Sequence, residues 1–222
     1  MSNPTIELYG DGIGSVSLID HMGTDLTIVN AARVSYGKHK DALDDSDIKL
    51  IRYLLVNRHT SPIEHVKATF RCVVPLFVRS QHQRHRCANY SEKSYRFTGE
   101  NIEFYRPPCW RTQSKNNKQM SEADFSSPEL DGMLKNHCEL SFKLYEDMIY
   151  KGVAREMARM VLPQNLYTEY YVTIDLHNAF HFLKLRLHPH AQWEIQKVAE
   201  AMQTILMDLF PETMKIWQEL NS

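Results

Sequence analysis

Apolar and polar residues along this chain follow two periods, and the switches between them mark its elements. Over residues 66–74, Val66, Ala68, Phe70, Cys72 and Val74 alternate with Lys67, Thr69 and Arg71, the period-2 pattern of a strand with one buried and one wetter face. Residues 166–174 are rich in Tyr, Val, Thr and Ile and predict a second strand, with Asp175 placed to cap the helix that follows. Helical spacing prevails elsewhere. A helix is predicted over 24–33. Ser46 or Asp47 caps another, whose Ile48, Ile51, Leu54 and Leu55 share a face and which ends near Asn57. Residues 58–65 predict a loop.

Pro75 closes the first strand and suits the first turn of a helix running to about Ala88. Ser127-Pro128 is a cap followed by proline at the first helical position, opening a helix that stops at Gly152. A shorter helix covers 153–161 and is halted by Pro163. Amphipathic helices are predicted over 175–187 and 190–210, the latter with Ile195, Val198, Met202, Ile205 and Leu209 as its core stripe. Near the N-terminus, Gly10, Gly12 and Gly14 break short apolar segments into strands and turns. Residues 101–127 have little periodicity, contain Pro107-Pro108 and the polar run 113–119, and predict a long loop serving as a mobile lid or an interface. Helices interrupted by a few strands, without βαβ alternation, make the class α+β. No linker composition divides residues 1–222, which are expected to form a single domain.

Composition narrows the function more than the fold. With 222 residues, 43% hydrophobic and 24% charged, the chain is an ordinary globular one. Its 26 Lys+Arg against 27 Asp+Glu give a net charge of −1, so any anion binding must come from local clustering of basic residues. The longest apolar run, residues 72–78, includes Pro75 and falls far short of the roughly 20 residues that span a bilayer. Residues 1–11 lack a basic flank followed by an apolar stretch, so no secretory signal is expected and the reading is cytoplasmic. Cys72, Cys87, Cys109 and Cys138 form no C-x-x-C pair, which argues against a zinc knuckle or a thioredoxin-type motif.

The basic clustering lies at 81–96, from Gln81 through Arg84-His85-Arg86 to Ser94 and Arg96. On a continuous helix Gln81, Arg84 and His85 would share a face, with Arg86 on an adjacent side. Arginine offers a planar fork of donors matched to phosphate. A solvated basic face is the ordinary reading of such a run, but a histidine held neutral between two arginines is better explained by a bound anion. Cys87 is expected to be a small buried residue. No G-x-G-x-x-G, Walker loop or G-x-S-x-G is present, so a phosphate cradle must be built from side chains and helix ends.

Two further groups carry chemistry. Arg155 and Arg159, with Glu156, form either a surface ion-pair helix or a ligand contact. His177 and His181 share a helix face and, with His188 or His190, could ligate a metal. On the same helix Asp175, Asn178, Phe182 and Arg186 fall on another side, so the helix is expected to serve two sites, an arrangement suited to a symmetric oligomer.

Arg84-His85-Arg86, seven residues and then Ser94 form an R-H-R-x7-S pattern, and the chain resembles the flavin-dependent thymidylate synthases. Flanking segments support this, namely 31–36 (AARVSY), 59–65 (HTSPIEH), 154–159 (AREMAR) and 185–195 from Leu185-Arg186 to His190-Ala191-Gln192-Trp193-Glu194-Ile195. The resemblance implies a twisted antiparallel sheet flanked by helices, in a homotetramer whose active sites draw residues from several subunits. It implies conversion of dUMP to dTMP with methylenetetrahydrofolate as carbon donor, FAD as redox carrier and NADPH or NADH as reductant, without a cysteine nucleophile. By position, Ser61, Arg84, His85, Arg86, Glu92, Asp175, His177 and His181 match flavin contacts. Gln81, Arg84, Glu92, Ser94, Arg96, Arg159 and Arg186 match dUMP contacts, and Arg186 matches the arginine that favours ionised uracil N3. No metal is implied. Asp175, His177 and His181 stand where Asn, Arg and Asn are frequent, and Phe97 where tyrosine is. Two readings from other classes compete: a metal-dependent hydrolase built on His177 and His181, and an RNA-binding module using the arginines with Tyr90 and Tyr95 as stacking platforms.

Overall fold

A computed structural model describes residues 4–99, 102–118 and 120–221. The chain runs through β1 (Thr5–Glu7), β2 (Ser15–Met22), α1 (Asp25–Arg33), α2 (Asp45–Val56), β3 (Lys67–Pro75), α3 (Leu76–His82) and β4 (Asn89–Glu92). A hairpin of β5 (Trp110–Gln113) and β6 (Ser121–Phe125) precedes α4 (Pro128–Tyr150) and the single turn α5 (Arg155–Ala158). Then come β7 (Tyr167–Asp175), α6 (Leu176–Arg186), α7 (Trp193–Leu209) and α8 (Pro211–Asn221). Five strands form one sheet in the order β1-β2-β3-β7-β4, every neighbouring pair antiparallel. The class is therefore α+β, as its pattern predicts.

The two predicted strands are the centre of this sheet. β3 and β7 pair over their whole length, from Lys67 opposite Asp175 to Pro75 opposite Tyr167. Their alternation puts Ala68, Phe70, Cys72 and Val74 with Tyr170, Val172 and Ile174 on one buried face. Against it pack Phe182 and Leu183 of α6 and Ile195, Val198, Met202 and Ile205 of α7. The other face is polar: the hydroxyls of Thr69 and Thr173 meet at 2.9 Å, and Arg71 forks onto Glu169 at 2.6 and 2.9 Å. Among the described residues no helix is long and apolar enough to cross a membrane.

This pairing aims two helices at each other. α3 leaves from the Pro75 end and α6 from the Asp175 end, opposite ends of the same ladder. Seven and eleven helical residues span about 10 and 16 Å, against about 30 Å for nine paired residues. Their C-terminal ends therefore meet above the middle of the sheet.

Three expectations are corrected. The helix after Pro75 stops at His82 and not near Ala88; the run Gln83 to Arg86 offers no apolar face to bury, and the chain turns back so that β4 pairs with β7. The 101–127 region holds the β5–β6 hairpin, whose Trp110 Nε1 donates to Asp131 at 2.8 Å and whose Arg111 reaches Glu194; Asn101 and Gln119 lie outside the described residues. Asp44, not Ser46 or Asp47, caps α2, accepting from the N–H groups of both. Beyond these, α8, for which the pattern gives no prediction, follows α7 directly after Phe210.

Buried Asp25 secures that last helix from the far end of the chain, accepting from the N–H groups of Glu212 and Thr213 at 3.0 Å each. Asp25→Ala leaves both donors without an acceptor. It is expected to cost about 3 kcal/mol, read as a lower urea midpoint at unchanged slope.

A carboxylate-free basic cleft as candidate active site

Where the ends of α3 and α6 converge, Arg186 is the hub. Its Nε donates to Nε2 of His85 at 3.1 Å and its Nη2 to the carbonyl of Gln81 at 3.2 Å. The second contact adds to that of the Arg84 N–H, at 3.3 Å, on a carbonyl of the last turn of α3. The Tyr90 hydroxyl, near the carbonyls of His82 and His85 at 3.1 and 3.0 Å, pins the same turn. Below it lies His82, fully buried, stacked on Phe182 at 4.5 Å, with Nδ1 2.7 Å from the Tyr170 hydroxyl. A cleft of about 280 Å³ opens beside this hub, lined by Arg84, His85, Arg86 and Cys87 from the turn and by Ile174, Asn178, His181, Leu185 and Arg186.

Its electrostatics follow from what is missing. Among the described residues no carboxylate lines the cleft, and neither Arg84 nor Arg86 has an ion-pair partner there. Burial, then the charge of Arg186 and His181, holds His85 at about 4. His82 is pushed to about 3 by burial, then by His85 and Arg186. Burial also lowers Arg186. Because Arg186 donates to Nε2, neutral His85 carries its proton on Nδ1. The result is a concave surface with surplus positive charge and no internal counter-charge, suited to an anionic ligand.

The expected site residues fall into separate groups. Arg84, His85, Arg86, His181 and Arg186 line the cleft, and Gln81 borders it through its carbonyl. Arg84 and His85 lie past the end of α3, so turn geometry and not a shared helix face brings them together. His181 and Arg186 converge on one cleft, with the rings of His85 and His181 5.9 Å apart; the expectation that they serve different sites is corrected by the reach of the arginine. Glu92 is engaged by Arg79 at 3.2 Å and by the Thr168 hydroxyl at 2.8 Å. Ser94 accepts from the backbone and Nε of Arg96, both at 3.3 Å, in the turn after β4. Exposed Arg159 donates through Nε to the Glu156 carbonyl of its own turn at 3.4 Å. Asp175 spends both oxygens on Asn178, accepting from its N and Nδ2 at 2.9 and 2.7 Å, as a helix cap. Exposed Ser61 and half-buried His177 do not line the cleft.

Cys87 is exposed, against the expectation of burial. Among the described residues no three His, Cys, Asp or Glu side chains gather to hold a metal, so the hydrolase reading finds no support. Asn178 and Tyr90 are not among the expected flavin or dUMP contacts. Asn178, expected on the same helix side as Arg186, lines the cleft beside it; Tyr90, expected only as a stacking platform of the RNA-binding reading, instead holds the turn through its hydroxyl.

Comparison with known proteins gives this cleft its context. Residues 17–212 match the family described as thymidylate synthase complementing protein. A flavin-dependent thymidylate synthase of Thermus thermophilus is 47% identical over 206 residues, 93% of this chain and 76% of that protein. One from Wolbachia pipientis wMel is 44% identical over 203 residues, 89% of this chain and 71% of that protein. Among solved structures, the UMP/dUMP methylase PolB from Streptomyces cacaoi, bound with 5-Br UMP, superposes with a TM-score of 0.85 at 33% identity, covering 97% of each chain. Fold and cleft define an α+β enzyme with an anion-receptive site. The chain belongs to the thymidylate synthase complementing protein family, the flavin-dependent thymidylate synthases.

Buried His82 and half-buried His85 have folded values below the ordinary 6.5. The unfolded chain then binds their protons first, so the stability they contribute is full above about pH 6.5 and lost as pH falls toward 4 for His85 and toward 3 for His82. NMR titration is expected to place the His85 midpoint near 4, and Arg186→Met to raise it. A wild-type midpoint at the ordinary value would contradict the cleft's electrostatics.

Proposed function

We propose that this enzyme converts dUMP to dTMP, taking the carbon from methylenetetrahydrofolate and reducing equivalents from NADPH or NADH by way of FAD. The observation that carries the reading is the Arg186 hub: a fixed guanidinium beside a neutral histidine, in a cleft with two unpaired arginines and no carboxylate. The names of the relatives and the nucleotide bound in the PolB structure support the substrate.

The donor set fits a phosphate-bearing flavin. Arg84 and Arg86 line the cleft with guanidinium forks that have no ion-pair partner among the described residues. Bound FAD supplies the redox chemistry of the methyl transfer. Arg84, Arg86, His85 and His181 would hold it in the cleft, with Ser61, Glu92 and His177 as further contacts. Asp175 contributes by capping α6, which sets where His181 and Arg186 stand.

Gln81, Ser94, Arg96, Arg159 and Arg186 would hold dUMP, with Arg84 and Glu92 shared between the two ligands. Arg186 has a role the others lack. Its Nε and Nη2 are spent on His85 and Gln81, leaving Nη1 to face the uracil ring. A guanidinium anchored at two points lowers the cost of negative charge at N3, which makes the reacting ring carbon more electron-rich. The anchoring is already complete in the protein, so little reorganisation is needed when that charge develops.

Ser94 with Arg96, and Arg159, lie away from the cleft within one chain. Their separation supports a homotetramer in which neighbouring subunits complete each site. A main core drawing on residues from Leu8 to Trp217 supports a single domain, and four free cysteines suit the cytoplasm.

Arg186→Ala is expected to leave the flavin content unchanged while lowering dTMP formation by roughly 10²–10³-fold. Turnover at the wild-type rate in that variant would overturn the reading.

A further inference from the structure

A buried hydrogen-bond chain leads from the β5–β6 hairpin to α3. Glu194, 2% exposed in the first turn of α7, takes Nη2 of Arg111 on both oxygens at 2.7 and 2.8 Å. It also accepts from the Tyr105 hydroxyl at 3.1 Å and from Nε2 of Gln192 at 2.9 Å. Gln192 Oε1 in turn accepts from Nε2 of Gln81.

The polarity of this chain is forced. A carboxylate held by a guanidinium only accepts hydrogen bonds. Gln192 must therefore turn its NH2 to Glu194 and its oxygen to Gln81, since the reverse would set oxygen against carboxylate. Gln81 must then turn its NH2 to Gln192. What remains is Oε1 of Gln81, half-buried and without a hydrogen-bond partner among the described residues, on the residue whose carbonyl anchors Arg186.

We infer that Glu194 and Gln192 are positioning residues that fix the Gln81 amide, so that its oxygen accepts from the sugar hydroxyl of the nucleotide and not from its phosphate. This rests on the reading of Gln81 as a dUMP contact. A phosphate oxygen brings no donor to that acceptor, and a uracil N3 ionised beside Arg186 brings none either, whereas the sugar hydroxyl does. The network thus selects which end of the nucleotide Gln81 reads.

Calorimetric dUMP affinity of the full chain, run as a double-mutant cycle, tests it. Gln192→Met is expected to weaken dUMP roughly 3- to 10-fold, the worth of one neutral hydrogen bond. Gln81→Met should weaken it at least as much, and the double variant no further than Gln81→Met alone. Additive losses, or wild-type affinity in Gln192→Met, overturn the inference. Should Gln192→Met not fold, the wild type decides: its affinity should fall by roughly 3-fold or more for the 2′,3′-dideoxy analogue of dUMP. Equal affinity for dUMP and that analogue overturns it. Failure of the wild type to bind dUMP at all is a different result, which overturns the functional reading beneath it.

Discussion

Nine residues of β3 against nine of β7, in a register running from Lys67–Asp175 to Pro75–Tyr167, set the terms for everything above the sheet. A slip of one residue would turn the side chains of the slipped strand to the opposite face, putting Phe70 and Cys72, or Tyr170 and Val172, on the polar side. It would also shift the origin of α3 against that of α6 by about 3.4 Å along the ladder, more than the tolerance of a 3.1 Å contact between Arg186 and His85. Core and site therefore depend on the same register, and selection for a buried face on these strands also holds the two helix ends in alignment.

The meeting of two helix C-termini explains why a cluster of positive groups is tolerated there. Carbonyls at the end of α3 carry partial negative charge, and they are taken by Arg186 and Tyr90 without any carboxylate. Arg186 is thereby immobilised while its charge stays uncompensated. The neutral state of His85 follows from the same choice, since burial and a nearby guanidinium both disfavour its cation. Glu194 shows the opposite solution on the far side of α3: a buried carboxylate with its own arginine, whose effect reaches Gln81 only through neutral amides.

Much of this was legible in the residues. The alternation at 66–74 and 166–174 gives both central strands to within a residue or so, and Ser127-Pro128 and Asp175 mark helix starts because capping is local chemistry. The Arg84-His85-Arg86 cluster and Arg186 stand out because their residue types are unusual at that density. What local pattern could not show is tertiary. Whether the turn after His82 is helical depends on β4 pairing with β7; Tyr90 and Asn178 acquire their places only when three elements meet; the Gln81–Gln192–Glu194 chain links residues more than a hundred positions apart. The hairpin at 110–125 escaped notice because its strands are short and largely polar, without an alternating face.

Whether the basic cleft holds a flavin is decided by the absorption spectrum of the purified protein between about 300 and 550 nm, repeated on the supernatant after heat denaturation, since a noncovalent flavin leaves its protein when the fold is lost. Flavin bands are expected, and should appear in the supernatant on heating. A colourless protein that also fails to take up added FAD would contradict a flavin site in this cleft.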